Sequence, residues 1–413
     1  MSSQNPNGPR IAVVIPTYNR EALVRGTLEA LVRQGIPPAE FEVVVSDDGS
    51  SDRTRAVVDG FADRLTIRYH FQEDLGFRAA AARNAGVRLT TAPVLAFVDA
   101  GVLPGPDFLA AHLAVHEVDP GAPTAVIGYT FGYRPDESAP AVDMGAVMTS
   151  EEAVRHYRGS PDFADARHLA FERFGFDLSR CTVPWQWFWS MNCSVRAEDF
   201  HAVGGFNEEF RSWGGEDLEF AFRLFRHGTG FVVSQDAWAV EAPHPKASAS
   251  NPDSNTANIL TFLHAHPEPV VELLWSWFAG PRAGFEVDHE WNVEDEHLLF
   301  LGALDEARPV DVAAELADLR EAAAHRRVAV FGCGRDVPPW LDSAVLFDFD
   351  PDVVASARGE VRHAIGVRTS LPDDSVDLVF VTSRLRSLWD RWGAEILREA
   401  DRIGTQVRSP LQA

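Results

Sequence analysis

Between residues 11 and 100, short apolar runs take turns with stretches whose apolar residues recur at helical spacing. Ile11–Ile15, Phe41–Ser46, Thr66–Phe71 and Val94–Val98 are brief, apolar and bounded by polar or turn-forming residues, which predicts four strands. Leu23, Val24, Leu28, Leu31 and Val32 predict a helix between the first two, and a second is predicted from about Phe77 to Leu89. Such alternation implies an α/β fold with a doubly wound, mostly parallel sheet and helices on both faces. Residues 134–180 are rich in Pro, Asp, Arg and Gly with weak periodicity, as expected of an excursion or lid over a site. The block 185–245 is rich in aromatic residues, and 246–255 (KASASNPDSN) reads as a linker. Helical patterns follow to about Arg326, and Val328–Phe331 opens a separate small α/β segment. The expected organisation is a disordered stretch 1–10, a main domain 11–255, a helical extension 256–325 and a small module 326–413.

Composition narrows the class. With 46% hydrophobic and 24% charged residues the chain is globular. A net charge of −24 argues against a phosphate-backbone partner such as nucleic acid, which needs a basic face. No apolar run approaches the roughly 20 residues of a membrane span, so no transmembrane segment is expected. The polar start MSSQNPNGPR lacks a signal-peptide core. Cys181, Cys193 and Cys333 form no paired framework, which fits a reducing compartment. A cytoplasmic location is the expectation.

In an open parallel sheet, ligands sit beyond the carboxyl ends of the strands. There the first two strands run into Pro16-Thr17-Tyr18-Asn19-Arg20 and Ser46-Asp47-Asp48-Gly49-Ser50. An aspartate at such a place can accept from a nucleobase or a ribose hydroxyl. Turns that cap the following helices would use the same residues.

In this order and spacing, VVIPTYNR, VVVSDDGSSD, GFRAAAARNAG and LAFVDAG resemble the family 2 glycosyltransferases of the GT-A fold, over residues 10–275. The resemblance implies a catalytic domain over 11–255. It further implies a nucleoside-diphosphate sugar of the UDP or TDP type, held by Pro16, Thr17, Tyr18, Asn19, Arg20, Asp48, Arg78 and Arg83, with Asp99 at the sugar-phosphate end. Arg78 and Arg83 suit a diphosphate, because guanidinium matches phosphate bidentately. An exposed helix face is the other reading of Arg83-Asn84. The family's Asp-x-Asp element is here Asp99-Ala100-Gly101, so the second carboxylate of a divalent cation site, for Mn²⁺ or Mg²⁺, is missing.

Trp213-Gly214-Gly215-Glu216-Asp217 precedes a predicted helix with Leu218, Ala221, Phe222 and Phe225 as its apolar stripe. Acids at a helix start complement its dipole without any function. The glycines, however, permit close backbone approach and the indole offers a flat face for a sugar. The sequence resembles the acceptor and catalytic loop of β-1,4-galactosyltransferases and chondroitin-polymerase-like enzymes. That implies inversion with Asp217 as general base and Glu216 beside it. The helix start favours ionised Asp217 and burial against Trp213 opposes it. By the same resemblance His244 completes a metal site with Asp99, and Asn192 bonds donor or acceptor hydroxyls. Trp185, Trp187, Phe188 and Trp189 are divided between acceptor cleft and core. The acceptor class stays open among small molecule, peptide and saccharide.

Residues 328–381 carry Gly332-Cys333-Gly334 and then Asp348 and Asp350, and resemble the first half of a class I methyltransferase Rossmann domain. Asp336 lies near the place of the third glycine, and S-adenosylmethionine is not an expected ligand. A truncated Rossmann-like module for packing, homodimer formation or partner binding is expected instead. The alternatives to an active glycosyltransferase are a nucleotide-sugar-binding module with weak catalysis and a bifunctional glycosyl- and methyltransferase.

Overall fold

The computed structural model describes residues 8–133, 148–244, 252–279 and 292–412. The first part of the expected lid, 134–147, and most of the expected disordered start and linker lie outside the described residues. All four predicted strands form. The order is β1 (Ile11–Thr17), α1 (Glu21–Val32), β2 (Phe41–Asp47), α2 (Thr54–Asp59), β3 (Ile67–Phe71), α3 (Ala79–Val87) and β4 (Val94–Val98). Val13 lies opposite Val43 on one side and Ala96 on the other, so β3-β2-β1-β4 is a parallel half-sheet. Ile11, Val13 and Ile15 bury against Val24, Leu28 and Leu31 of α1, the residues that set the helical spacing. β1, β2 and β4 are buried along their length, as apolar strands covered on both faces must be.

Beyond β4 the sheet departs from the mostly parallel expectation. There follow β5 (Val102–Pro104), α4 (Phe108–Val118), β6 (Thr124–Phe131), α5 (Ser150–Tyr157), α6 (His168–Arg173), β7 (Asn192–Arg196), α7 (Ala197–Ala202), α8 (Glu216–Arg226) and β8 (Gly230–Glu241). β7 runs antiparallel to both β4 and β6, β8 is parallel to β6, and β5 is antiparallel to β8 at the far edge. The result is one mixed eight-stranded sheet. β7 follows a long segment after β6 that holds α5 and α6, and it runs in the sense opposite to β6.

Residues Met1–Ser254 and Asn255–Ala413 form two compact units. The second contains α9 (Pro252–Ala265, nearly all of it), α10 (Pro269–Ala279), α11 (Val293–Ala307), α12 (Ala313–Asp318) and α13 (Arg320–Ala323). These precede β9 (Val328–Phe331), β10 (Val345–Asp348), α14 (Pro351–Ser356), β11 (Val361–His363), β12 (Leu378–Val381), α15 (Trp389–Ile403) and β13 (Val407–Arg408). The strands form a parallel sheet in the order β11-β10-β9-β12-β13. α9 opens at Pro252, inside the expected linker, because a helix's first turn does not need the N–H that proline lacks.

Candidate active site

The carboxyl ends of β1 and β2 converge on Asp47 and Asp48. Asp47 caps its own turn, accepting the N–H groups of Gly49 and Ser50, and takes the Tyr69 hydroxyl at 2.6 Å. Asp48 is buried and accepts from Gln72 Nε2 at 2.6 Å, from the Arg78 backbone N–H at 2.8 Å and from Arg78 Nη2 at 3.0 Å. Tyr18 stands 46% exposed beside this end, its hydroxyl on Asp74. Pro16 is half-buried and Thr17 buried next to it. Asn19, expected on the ligand, instead staples the two loops: its side-chain oxygen accepts the Ser51 and Asp52 N–H groups. Arg20 sits at the N-terminus of α1, where its carbonyl accepts the Val24 N–H.

The two arginines expected on one diphosphate have different partners. Arg78 lies on Asp48, whereas Arg83, buried on α3, reaches Asp99 Oδ1 at 2.9 Å and Glu216 Oε1 at 3.0 Å. Burial of Arg83 and Asn84 rules out the exposed-face reading. Burial opposes the Arg83 charge, but Asp99 and Glu216 outweigh it and hold the guanidinium well above its ordinary range. One cation therefore ties the end of β4 to the start of α8. Asp99 keeps 43% of its side chain exposed.

α8 begins at Glu216, as predicted, and Gly215 precedes it at φ +88°, a backbone state that side chains disfavour. Gly214 shares that state and Trp213 is half-buried. Asp217 follows, part-exposed, with Oδ2 accepting the Ser190 N–H at 3.3 Å and Oδ1 the Leu218 N–H at 2.8 Å. Desolvation first, and Glu216 second, push its pKa up to about 7, against the pull of Arg83 and the two N–H groups. Burial thus wins the contest that the sequence left open. Phe225, expected in the apolar stripe, is exposed, and Phe220 and Leu224 are buried in its stead.

Asn192 needs correction. It is fully buried in β7, its amide donating to the Tyr129 and Ala237 carbonyls and its oxygen facing His112 Nε2 at 3.1 Å. Gly128 leaves the room it needs, since a Cβ there would sit 2.1 Å from Asn192 Oδ1. Acceptor hydroxyls cannot reach it. Trp185 and Phe188 are likewise core, while Trp189 is half-buried and packs against Tyr133 with ring centroids 5.6 Å apart. Sequence reasoning missed Tyr133, whose phenol burial, then Glu241, Asp99 and Asp217, hold well above its usual range. Its only sequence signal was Phe-Gly-Tyr at the end of a strand. Gln72 and Arg167 were missed as well.

For a divalent cation the donor set is sparse. No group of three His, Cys, Asp or Glu able to hold a metal occurs among the described residues. His244 lies two residues after Ala242, whose N–H donates to the Gly101 carbonyl, and its Nδ1 faces the Ala242 carbonyl at 2.9 Å. Asp99 with its exposed half suits Mg²⁺, which is commonly held by one or two carboxylates with substrate phosphates and water.

In the second unit Asp348 and Asp350 are buried, and Arg384 fills the space before them. Its Nε meets Asp348 at 3.0 Å, its Nη2 meets Asp350 at 3.2 Å and its Nη1 donates to the Ala307 carbonyl at 2.8 Å. The carboxylates that the resemblance would give to a cofactor are spent inside the unit.

No described helix is long and apolar enough to cross a membrane. Residues 12–176 match the model of glycosyl transferase family 2, and residues 172–245 that of the N-terminal domain of galactosyltransferase. The chain is 43% identical to validoxylamine A glucosyltransferase of Streptomyces hygroscopicus subsp. limoneus, covering 97% of this chain and 90% of that protein. It is 32% identical to hyaluronan synthase of Pasteurella multocida over 57% of this chain and 25% of the other. Among solved structures, S. aureus TarS 1–349 in complex with UDP-GlcNAc aligns with 75% of this chain and 85% of its own at a TM-score of 0.48 and 17% identity.

Proposed function

From the premise that the chain belongs to glycosyltransferase family 2, we propose that it is an inverting enzyme in which Asp217 deprotonates an acceptor hydroxyl. It is a glycosyltransferase of GT-A fold using a nucleotide sugar. The observation that supports the finer reading is the bridge of Arg83 between Asp99 and Glu216, the chain neighbour of Asp217.

Asp48 and the exposed Tyr18 ring receive the nucleoside, and Asp99 lies toward the sugar-phosphate. Asp217, once ionised, takes the acceptor proton as the oxygen attacks the anomeric carbon. The nucleoside diphosphate departs from the opposite face, so the configuration inverts. Trp213 and the two glycines before α8 offer the acceptor a flat, close-approach wall. A divalent cation, when bound, supplies positive charge to the leaving diphosphate, and Asp99 with His244 are the residues that would hold it. By the relative that matches nearly the whole chain, the donor is a glucosyl nucleotide and the acceptor is validoxylamine A or a close analogue.

The test is glucose transfer from UDP-glucose or TDP-glucose to validoxylamine A, with wild type and Asp217→Asn. Transfer by wild type and a fall of about 10²–10⁴-fold in the variant, with UDP affinity retained, are expected. Thermal shift by UDP without product in wild type would favour a binding module. Joint loss of turnover and UDP binding in the variant would point to a folding role.

A further inference from the structure

Asp165 and Arg167 form an ion pair with both side chains at 0% exposure. Asp165 Oδ2 accepts the Thr130 N–H of β6 at 2.7 Å, and Arg167 Nη2 donates to the β6 carbonyl of Gly128 at 3.0 Å. From that anchor Arg167 Nη1 reaches the Trp187 carbonyl at 2.8 Å, and its guanidinium lies 4.7 Å from the centre of the Trp189 ring. The segment so gripped touches both ends of the site. Ser190 N–H donates to Asp217, and the Met191 carbonyl accepts the Asp99 N–H, each at 3.3 Å.

We propose that Arg167 is a positioning residue for sugar transfer: with Asp165 it holds Trp187–Met191 against β6, and that segment keeps Asp99 and Asp217 in register. The proposal rests on the reading of Asp217 as base. Stability alone does not call for the pair, because a buried ion pair is often matched or bettered by apolar residues of similar volume. What apolar residues cannot reproduce is one planar group that bonds Gly128, Trp187 and both Asp165 oxygens while stacking on an indole. The two bonds downstream are at the outer limit of hydrogen-bond length, so a shift of a few tenths of an ångström breaks them. Misplacement of about 1 Å costs on the order of 10²-fold in rate.

The experiment uses the full chain with Asp165→Leu/Arg167→Met, which removes both charges together, and Arg167→Lys, which keeps the charge without the fork. UDP-glucose, validoxylamine A and UDP are the probes. The double variant is expected to fold, to bind UDP within about threefold of wild type, and to lose about 10²-fold in kcat. The acid limb of its kcat/KM profile is expected at higher pH, since a lost Ser190 N–H no longer favours ionised Asp217 among its neighbours Glu216, Arg83, Asp99 and Tyr133. Arg167→Lys should fall between.

A folded double variant with wild-type kcat and pH limb overturns the proposal. So does a kcat loss matched by an equal loss of UDP affinity, or one without a limb shift. If the double variant does not fold, Arg167→Lys decides by the same criteria. Asp217→Asn in the otherwise native chain keeps the two readings apart: turnover surviving there removes the base assignment, whatever the Arg167 variants do.

Discussion

At the scale of single residues, the site is a contest over one proton. Asp217 must be ionised to act, yet desolvation and Glu216 raise its pKa to about 7. kcat/KM for transfer should therefore rise tenfold per pH unit below about 7 and level off above it. Glu216→Gln removes the like charge and leaves Arg83 free to favour the carboxylate, so the limb should move to lower pH, with the plateau within about tenfold of wild type. A limb unmoved by Glu216→Gln in a pH–rate series would show that some other group titrates. The same shift has a cost in stability. A carboxyl whose folded pKa lies above its unfolded value of about 3.9 loses stability as pH rises between the two. Asp217→Asn should accordingly raise the melting temperature at pH 8 and bring no gain at pH 4, a difference that calorimetry reads.

At the scale of elements, what was legible followed from periodicity. The strands of the parallel half-sheet and the start of α8 could be read because apolar runs mark them, and motif order singled out Arg83, Asp99 and Glu216, which the structure joins by hydrogen bonds. β7 could not, because Asn-Cys-Ser-Val-Arg alternates polar residues into a fully buried strand. Those polar atoms find partners far away: Ser194 Oγ lies 2.9 Å from both His112 Nδ1 and His116 Nε2 of α4. An asparagine looks alike in sequence whether it faces a ligand or an internal histidine, and the resemblance that gives Asn192 to hydroxyls does not tell the two apart. Arg167 gave no signal because its partners lie on β6 and in the segment before β7. The α4–β7 contact also predicts acid sensitivity. Burial, foremost, lowers His112 to about 3 and His116 to about 4, whereas both titrate near 6.5 when unfolded. The unfolded chain thus binds more protons below pH 6.5, so stability is full above that value and is lost progressively toward pH 4. His116→Gln should flatten the wild-type slope of unfolding free energy against pH by about one proton between pH 4 and 6.5. An unchanged slope in urea titrations would remove the pair from the account.

At the scale of the whole molecule, the two units use the same architectural device to opposite ends. In both, parallel strands deliver acidic side chains to their carboxyl edge, where an open α/β sheet offers a crevice. In the first unit Asp47 and Asp48 are buried and bonded within the fold, but Asp99 just beyond β4 stays partly exposed, as does Asp217 at the start of α8. In the second the acids are consumed. Arg384 bonds Asp348 and Asp350, and Glu272 of α10 accepts the N–H groups of Ile365, Gly366 and Val367 beyond β11. Gly332 is no free cradle either, for a Cβ there would meet Thr382 Oγ1 at 2.8 Å. Here a glycine turn and two strand-end acids serve internal packing. Replacing Arg384 by Ala would strand two buried carboxylates, and removing one partner of such a network costs about 3–5 kcal/mol. Arg384→Ala should therefore lower the unfolding temperature of the second unit. Titration with S-adenosylmethionine should release no heat in wild type or variant, and UDP binding, read alongside, separates a local loss from collapse of the chain. Heat on titrating the variant would instead mean that the arginine had been standing in a usable cofactor site.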